Sequence, residues 1–125
     1  FDRALYKLLN KALPGPYTFI LEASNEVPSL FRSKKKTIGL RVPDHPIVMA
    51  LIEQLGHPMV STSLHDTDSF LEYPNDPYEI ASQWENVVDV VVDGGMGTIV
   101  PSTIIDCTGD EPVVKREGAG DVNVL

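Results

Sequence analysis

Hydroxyl side chains crowd one short stretch of this chain, Ser61-Thr62-Ser63, and His65 follows two residues later. Hydroxyl and imidazole groups donate hydrogen bonds to the oxygens of phosphates and carboxylates. In α/β folds, ligands bind beyond the carboxyl ends of strands, and this stretch ends an apolar run of strand length. It therefore predicts a ligand site that includes Ser63 and His65. A Ser-His-Asp triad is not indicated, because the sequence lacks the GxSxG turn that presents a nucleophilic serine.

A second group of candidates lies near the end of the chain. Ser102 and Thr103 begin one predicted strand, and Arg116 ends the next. A guanidinium group presents a planar fork of N–H donors that matches the oxygens of a phosphate. The sequence leaves two interpretations of Arg116 open, a phosphate contact and a strand-end arginine in solvent.

Other reactive residue types stand in patterns that favour no particular chemistry. Gly94-Gly95-Met96-Gly97 is not GxGxxG, and no Gly-Lys-Ser/Thr follows it, so we expect a tight turn. His45, His57 and His65 are 12 and 8 residues apart, which matches no metal-ligand spacing, and no metal site is predicted. The single cysteine, Cys107, excludes an intrachain disulfide and is expected to be a small buried strand residue. One cysteine also fits a reducing compartment, so we expect a cytoplasmic protein.

The elements that must position these residues follow from hydrophobic periodicity. Apolar residues three and four apart predict helices, and β-branched or aromatic runs predict strands. The predicted helices are Leu5–Ala12, His45–Leu55 and Pro77–Trp84, with a short helical turn at Val27–Arg32 and a polar loop at Leu64–Asn75. The predicted strands are Tyr17–Leu21, Thr37–Val42, Met59–Thr62, Val87–Val92, Ser102–Cys107 and Pro112–Arg116.

Two of these predictions carry the expected topology. Thr37–Val42, the helix after it and Met59–Thr62 have the lengths of a βαβ crossover. Val87–Val92 reads VVDVVV, which is typical of a strand buried on both faces. The fold class is therefore α/β, a twisted mixed sheet with helices packed on it.

Composition and charge describe an ordinary globular domain spanning residues 1–125, 42% hydrophobic and 22% charged. The net charge of −8 argues against nonspecific binding along a nucleic-acid backbone. Five of the ten Lys and Arg residues nevertheless fall between Arg32 and Arg41, so Lys34-Lys35-Lys36 is either a solvated loop or a contact for a phosphate-bearing ligand. No apolar run approaches the roughly 20 residues that a membrane helix needs.

Several segments resemble, in order, the motifs of the YrdC-like family of threonylcarbamoyl-adenylate synthases. LPGPYTFIL at 13–21 resembles LPGPxTxIL, TIGLRVPDHP at 37–46 resembles TVGxRxPxHP, STS at 61–63 resembles the start of STSAN, PSTIID at 101–106 resembles ESTVVD, and KREG at 115–118 resembles the family's arginine-glycine close. The agreement covers nearly the whole chain. Because several spaced motifs agree in order, it is more specific than any one of them.

The resemblance implies a twisted open α/β sheet around a concave, positively charged cavity. Family members bind ATP, L-threonine and bicarbonate, release pyrophosphate and form threonylcarbamoyl-AMP for the modification of tRNA, and some bind double-stranded RNA. By position, it implies that Ser63, His65, Ser102, Thr103 and Arg116 contact ATP or AMP, which Mg²⁺ could accompany; no tightly bound cofactor is implied. The threonine carbamate attacks the α-phosphate in this mechanism, so no catalytic protein nucleophile is expected.

Two departures shape the functional expectation. His65 stands where STSAN has asparagine, and together with GAGD at 118–121 it looks more like the YciO branch of the family. The family's N-terminal half, with its PTDT-type segment and lysine-arginine motif, has no counterpart, so we expect a C-terminal fragment that is inactive by itself. Three interpretations follow: part of a synthase, a module that binds nucleotide or double-stranded RNA without turnover, or a structural fragment that associates with itself.

Overall fold

The computed structural model describes residues 2–28, 34–64 and 74–125 of the chain. Within them lie helices α1 (Arg3–Ala12), α2 (Pro46–Leu55) and α3 (Pro77–Trp84), strands β1 (Tyr17–Glu22), β2 (Thr37–Leu40), β3 (Thr103–Asp106) and β4 (Val113–Arg116), and a 3₁₀ turn at Val122–Val124. None of the helices in these residues is long and apolar enough to cross a membrane.

Local sequence explains where the helices begin and end. Asp2 Oδ1 accepts a hydrogen bond from Leu5 N at the start of α1, and Asp76 Oδ1 accepts one from Tyr78 N at the start of α3. Proline occupies the first turn of α2 and α3. Backbone N–H groups in the first turn have no acceptor within the helix, so a residue without an N–H breaks no helical hydrogen bond there. Gly56, in the left-handed region at φ 75°, ends α2, as is common for a glycine after a helix.

The four strands form one mixed sheet in the order β2-β1-β3-β4. β1 pairs antiparallel with β2, Phe19 opposite Leu40, and parallel with β3, Tyr17 opposite Thr103. β4 pairs antiparallel with β3, and the register between them shifts by one residue. The predicted mixed sheet is therefore confirmed, with β1 and β3 at its centre.

One face of the sheet packs into a small core against α1. Tyr17, Phe19 and Ile105 are buried there together with Ala12 of α1, and Leu8, Leu9 and Val124 pack around them. Side chains alternate between the two faces along a strand. We call this side, which bears Tyr17, Phe19, Thr103 and Ile105, the core face. The other side, which bears Thr18, Ser102 and Arg116, is the site face.

The chain divides into two compact units. The first consists of Phe1–Val60 and Ser102–Leu125 and holds the sheet, α1 and α2, whereas the second is Ser61–Pro101 and holds α3. Inside the second unit, Gly97 N donates to Asn75 O at 2.7 Å and Gly95, at φ 90°, donates through its N–H to Asp93 Oδ1. Residues 94–97 thus lie in an irregular loop with a bend at Gly95, rather than in a hydrogen-bonded tight turn.

Two predicted strands are wrong. Met59–Thr62 and Val87–Val92 both lie in the described part of the chain, and neither is a strand. Val87, Val90 and Val92 are exposed, Val90 by 74%. A strand needs a neighbour for its backbone N–H and C=O groups, so β-branched composition alone does not produce one. The predicted βαβ crossover is therefore wrong as well, because its second strand, Met59–Thr62, is not formed.

The remaining predictions are confirmed or lie partly outside the described residues. All three predicted helices are present as α1, α2 and α3, and four of the predicted strands are present as β1 to β4, with bounds that shift by a few residues. The short turn at Val27–Arg32 extends beyond residue 28, and most of the loop Leu64–Asn75 falls in residues 65–73. Both lie partly outside the residues that the structure describes.

Candidate functional site

Three polar side chains meet on the site face, where β3 begins and β4 ends. Thr18 Oγ1 and Ser102 Oγ share a hydrogen bond of 2.7 Å. Arg116 donates from Nε and Nη2 to the carbonyl oxygen of Ser102, at 3.1 and 2.9 Å, and from Nη2 to Ser102 Oγ at 3.3 Å. The two predicted site residues Ser102 and Arg116 are therefore brought together.

Backbone pairing accounts for the arrangement of this cluster. Thr18 lies opposite Ile104 across the parallel β1–β3 ladder, and Ile104 lies opposite Arg116 across the β3–β4 ladder. Residues that are opposite in a ladder project from the same face. Thr18, Ile104 and Arg116 consequently form a row across three strands, and Ser102 precedes β3 beside them.

Thr103 lies on the core face instead. Its side chain is fully buried, at 0% exposure, and its hydroxyl donates to Gly120 O at 2.7 Å. The same hydroxyl accepts a hydrogen bond of 2.9 Å from Gly118 N. The structure thus separates Thr103 from Ser102 and Arg116, and its contact with a nucleotide stays a prediction.

Ser63, a further predicted site residue, belongs to the second unit. Ser63 is exposed and lies in a stretch, residues 58–64, that is neither helix nor strand. His65 lies outside the described residues. The role of both as ligand contacts stays a prediction.

Thr18 is a member of the cluster that the sequence did not single out. The alternation of Tyr17, Thr18 and Phe19 was the signal that could have found it, because a threonine between two buried aromatic residues must face the opposite side of its strand. Its hydroxyl bond to Ser102 shows that the side of β1 away from the core is polar at this end.

A different polar group lies at the opposite end of β3. Asp106 Oδ1 accepts hydrogen bonds from the Thr108 hydroxyl at 2.6 Å and the Thr108 N–H at 2.9 Å. These bonds, supported by the charges of Lys115 and Lys35, hold the pKa of the Asp106 carboxyl below its ordinary value of 3.8. The carboxylate therefore closes the turn after β3. Separately, within the described residues no group of three or more His, Cys, Asp and Glu side chains could hold a metal ion.

A cavity of about 530 Å³ lies in the first unit, between α1 and the turn after β3. Its lining includes Leu5, Leu8, Lys11, Cys107 and Val124, and none of the predicted nucleotide contacts. Burial, together with the charges of Asp106 and Asp2, raises the pKa of the Cys107 thiol above its ordinary value of 9.0. A raised pKa disfavours the thiolate, so Cys107 is poorly suited to act as a nucleophile.

Comparison with known proteins connects this geometry with a family. Residues 1–118 match the model of the Sua5/YciO/YrdC family, which is described as telomere recombination. The chain belongs to this family. It is 50% identical over 123 residues to the uncharacterised protein YciO of Escherichia coli strain K12, an alignment that covers 97% of the chain and 59% of YciO. It is also 31% identical over 112 residues to the threonylcarbamoyl-AMP synthase of Pyrococcus abyssi, covering 89% of the chain and 32% of that protein.

Solved structures give the same relationship. The crystal structure of E. coli YciO is similar to the chain with a TM-score of 0.93 at 47% identity, over 98% of the chain and 60% of that structure. Sua5 of P. abyssi in complex with L-threonine is similar with a TM-score of 0.81 at 30% identity, over 94% of the chain and 34% of that structure. The expected YrdC-like fold is confirmed. The chain spans about three fifths of the length of the YciO relative, 59%.

Proposed function

We propose that this chain provides part of an adenine-nucleotide site, in which Arg116 and Ser102 bind the phosphates on the site face of the sheet. The observation that carries the proposal is the Thr18–Ser102–Arg116 cluster, because its guanidinium is oriented by hydrogen bonds to the carbonyl and hydroxyl oxygens of Ser102. An oriented guanidinium loses less conformational freedom on binding phosphate than a mobile one.

The nature of the nucleotide is suggested by the relatives. Proteins of P. abyssi and Bacillus subtilis that are 31% identical to the chain are named threonylcarbamoyl-AMP synthases. A product that contains AMP points to ATP as the source of the adenylate, and P. abyssi Sua5 is seen in complex with L-threonine. We propose that the whole protein that contains this chain binds ATP, threonine and bicarbonate, and that Mg²⁺ accompanies the nucleotide. Ser63 and His65 are proposed as further contacts.

The chemistry of this reaction requires little from protein nucleophiles. The oxygen of a threonine carbamate attacks the α-phosphate of ATP, and pyrophosphate leaves with its bonding electrons. Negative charge is spread over the phosphate oxygens in the transition state, so fixed cations and hydrogen-bond donors lower the barrier. Arg116 supplies positive charge in this scheme, and the Ser102 hydroxyl supplies a donor beside it.

A titration of the chain with ATP tests the proposal. We expect the backbone amide signals of Ser102, Arg116 and Ser63 to shift in NMR spectra. Arg116→Ala should weaken ATP binding about 10- to 100-fold, because a hydrogen bond to a charged group contributes about 1.5–3 kcal/mol. Arg3→Ala makes the same change of charge on α1, which packs against the opposite face, and serves as the matched control. Equal affinities of the two variants would contradict the proposal.

Turnover distinguishes a synthase from a binding module. The test joins the chain to the remaining part of E. coli YciO and measures pyrophosphate release with ATP, threonine and bicarbonate. Pyrophosphate release that requires threonine supports the interpretation that the whole protein is a synthase. ATP affinity without such release supports the alternative, a module that binds nucleotide or double-stranded RNA and has no activity.

A further inference from the structure

We infer that Thr103 is a positioning residue: through its buried hydroxyl it holds the end of β4 so that Arg116 faces Ser102, and it does not itself touch the nucleotide. This inference rests on the proposed function, since it concerns how the same site is oriented. It assigns to Thr103 a different role from the direct contact that the family resemblance implies.

The β3–β4 ladder is irregular just before Arg116. Asp106 lies opposite Val113 and Ile105 opposite Val114, but the next pair is Ile104 with Arg116. Lys115 is thus an extra residue in β4, a β-bulge, and such bulges re-aim the side chains that follow them. If the ladder continued without it, Arg116 would lie opposite Thr103, whose side chain is on the core face. The bulge therefore turns Arg116 to the site face.

Hydrogen bonds fix the chain beyond the bulge. Gly118, two residues after Arg116, donates its N–H to Thr103 Oγ1 at 2.9 Å, and that hydroxyl donates in turn to Gly120 O at 2.7 Å. Asp121 O then accepts a hydrogen bond of 2.9 Å from the Tyr17 hydroxyl. Residues 118–121 are therefore held against β1 and β3, which fixes the point at which β4 must end.

Burial separates the Thr103 hydroxyl from the site face. The Thr103 side chain is 0% exposed, so a ligand on the site face has no path to its hydroxyl. Ser102, the residue before it, accepts three hydrogen bonds from the Arg116 side chain, two at its carbonyl oxygen and one at its hydroxyl oxygen. One dipeptide thus serves the two faces: Ser102 orients the guanidinium directly, and Thr103 holds the backbone that carries it.

A double-mutant cycle on the 125-residue chain tests this role. Thr103→Val keeps the shape of the side chain and removes its hydroxyl, and we expect ATP affinity to fall about tenfold. Thr103→Ser retains the hydroxyl and should restore affinity to within about twofold of the unchanged chain. The variant Thr103→Val with Arg116→Ala should bind no more weakly than Arg116→Ala alone, because both changes remove the same interaction.

Thr98→Val is the matched control, since Thr98 lies in the second unit and its hydroxyl bonds only to the nearby Val100 O among the contacts described. The inference is overturned if Thr103→Val binds ATP as tightly as the unchanged chain does. It is also overturned if the loss of ATP affinity caused by Thr103→Val adds fully to the loss caused by Arg116→Ala. Additive losses are the result expected of a direct nucleotide contact.

A measurement on the unchanged chain covers the case in which Thr103→Val does not fold. Binding of ATP to Arg116 should slow hydrogen exchange at the Gly118 amide, because ligand binding stabilises the hydrogen-bonded arrangement that presents Arg116. Unchanged Gly118 exchange, while the Ser102 and Arg116 signals shift, overturns the positioning role and leaves the nucleotide site intact. If ATP shifts no signal, the proposed function fails instead.

Discussion

At the scale of single residues, the close approach of Gly120 to Tyr17 constrains the core face of the sheet. A Cβ atom at Gly120 would lie 2.5 Å from Tyr17 Cε1 and 2.8 Å from Cδ1 and Cζ. The ring has little room to withdraw, because Tyr17 is buried and its hydroxyl is bonded to Asp121 O. Glycine is therefore required here by space on the core face.

We predict that Gly120→Ala destabilises the fold by about 1–3 kcal/mol, the usual cost of overpacking a filled site. The measurement is urea unfolding followed by circular dichroism. Gly109→Ala is the control: nothing lies within 4 Å of the added Cβ, so its effect should be small or slightly stabilising. If the two variants unfold at the same urea concentration, the close packing of Tyr17 on Gly120 is not a constraint in solution.

At the scale of elements, the sequence predicts well the helices and strands that are determined by residues close together in the chain. The amphipathic spacing of α1, the Asp76-Pro77 start of α3 and the aromatic run of β1 all gave elements that the structure contains. Met59–Thr62 and Val87–Val92 failed, because a strand depends on a partner that composition does not specify. The candidate site divides in the same way. The family resemblance assigns Ser102 and Arg116 to one ligand, and the structure brings the two residues together. The bulge at Lys115 depends on backbone register, which the sequence pattern does not specify.

A matched pair of substitutions compares the packing of a formed strand with that of an irregular stretch. Ile105→Val shortens a fully buried side chain in central strand β3 and should cost about 0.5–1.5 kcal/mol in the free energy of unfolding. Ile99→Val makes the same substitution in the irregular stretch before β3, where the side chain is 42% exposed. It should change the free energy of unfolding by less than about 0.5 kcal/mol. Chemical denaturation gives both values, and an equally large loss at Ile99 would mean that this stretch is packed in solution.

At the scale of the whole chain, the described surface carries apolar side chains that a small globular domain would ordinarily bury. Helix α2 has no buried residue, and Ile47, Met49, Leu51 and Leu55 are all exposed on it. Contiguous exposed apolar surface marks sites of association. The net charge of −8 opposes association between copies, but salt screens that repulsion.

We therefore predict that the chain associates with itself at physiological salt, and that sedimentation velocity over about a hundredfold range of concentration detects it through mass action. Leu51→Glu should weaken the association, because it introduces a charge into the apolar surface of α2. Gln54→Glu adds the same charge to an exposed polar position of the same helix and should have little effect. Two results would contradict this role of α2: a chain that sediments as a monomer at every concentration, or a Leu51→Glu variant that associates as strongly as the Gln54→Glu variant.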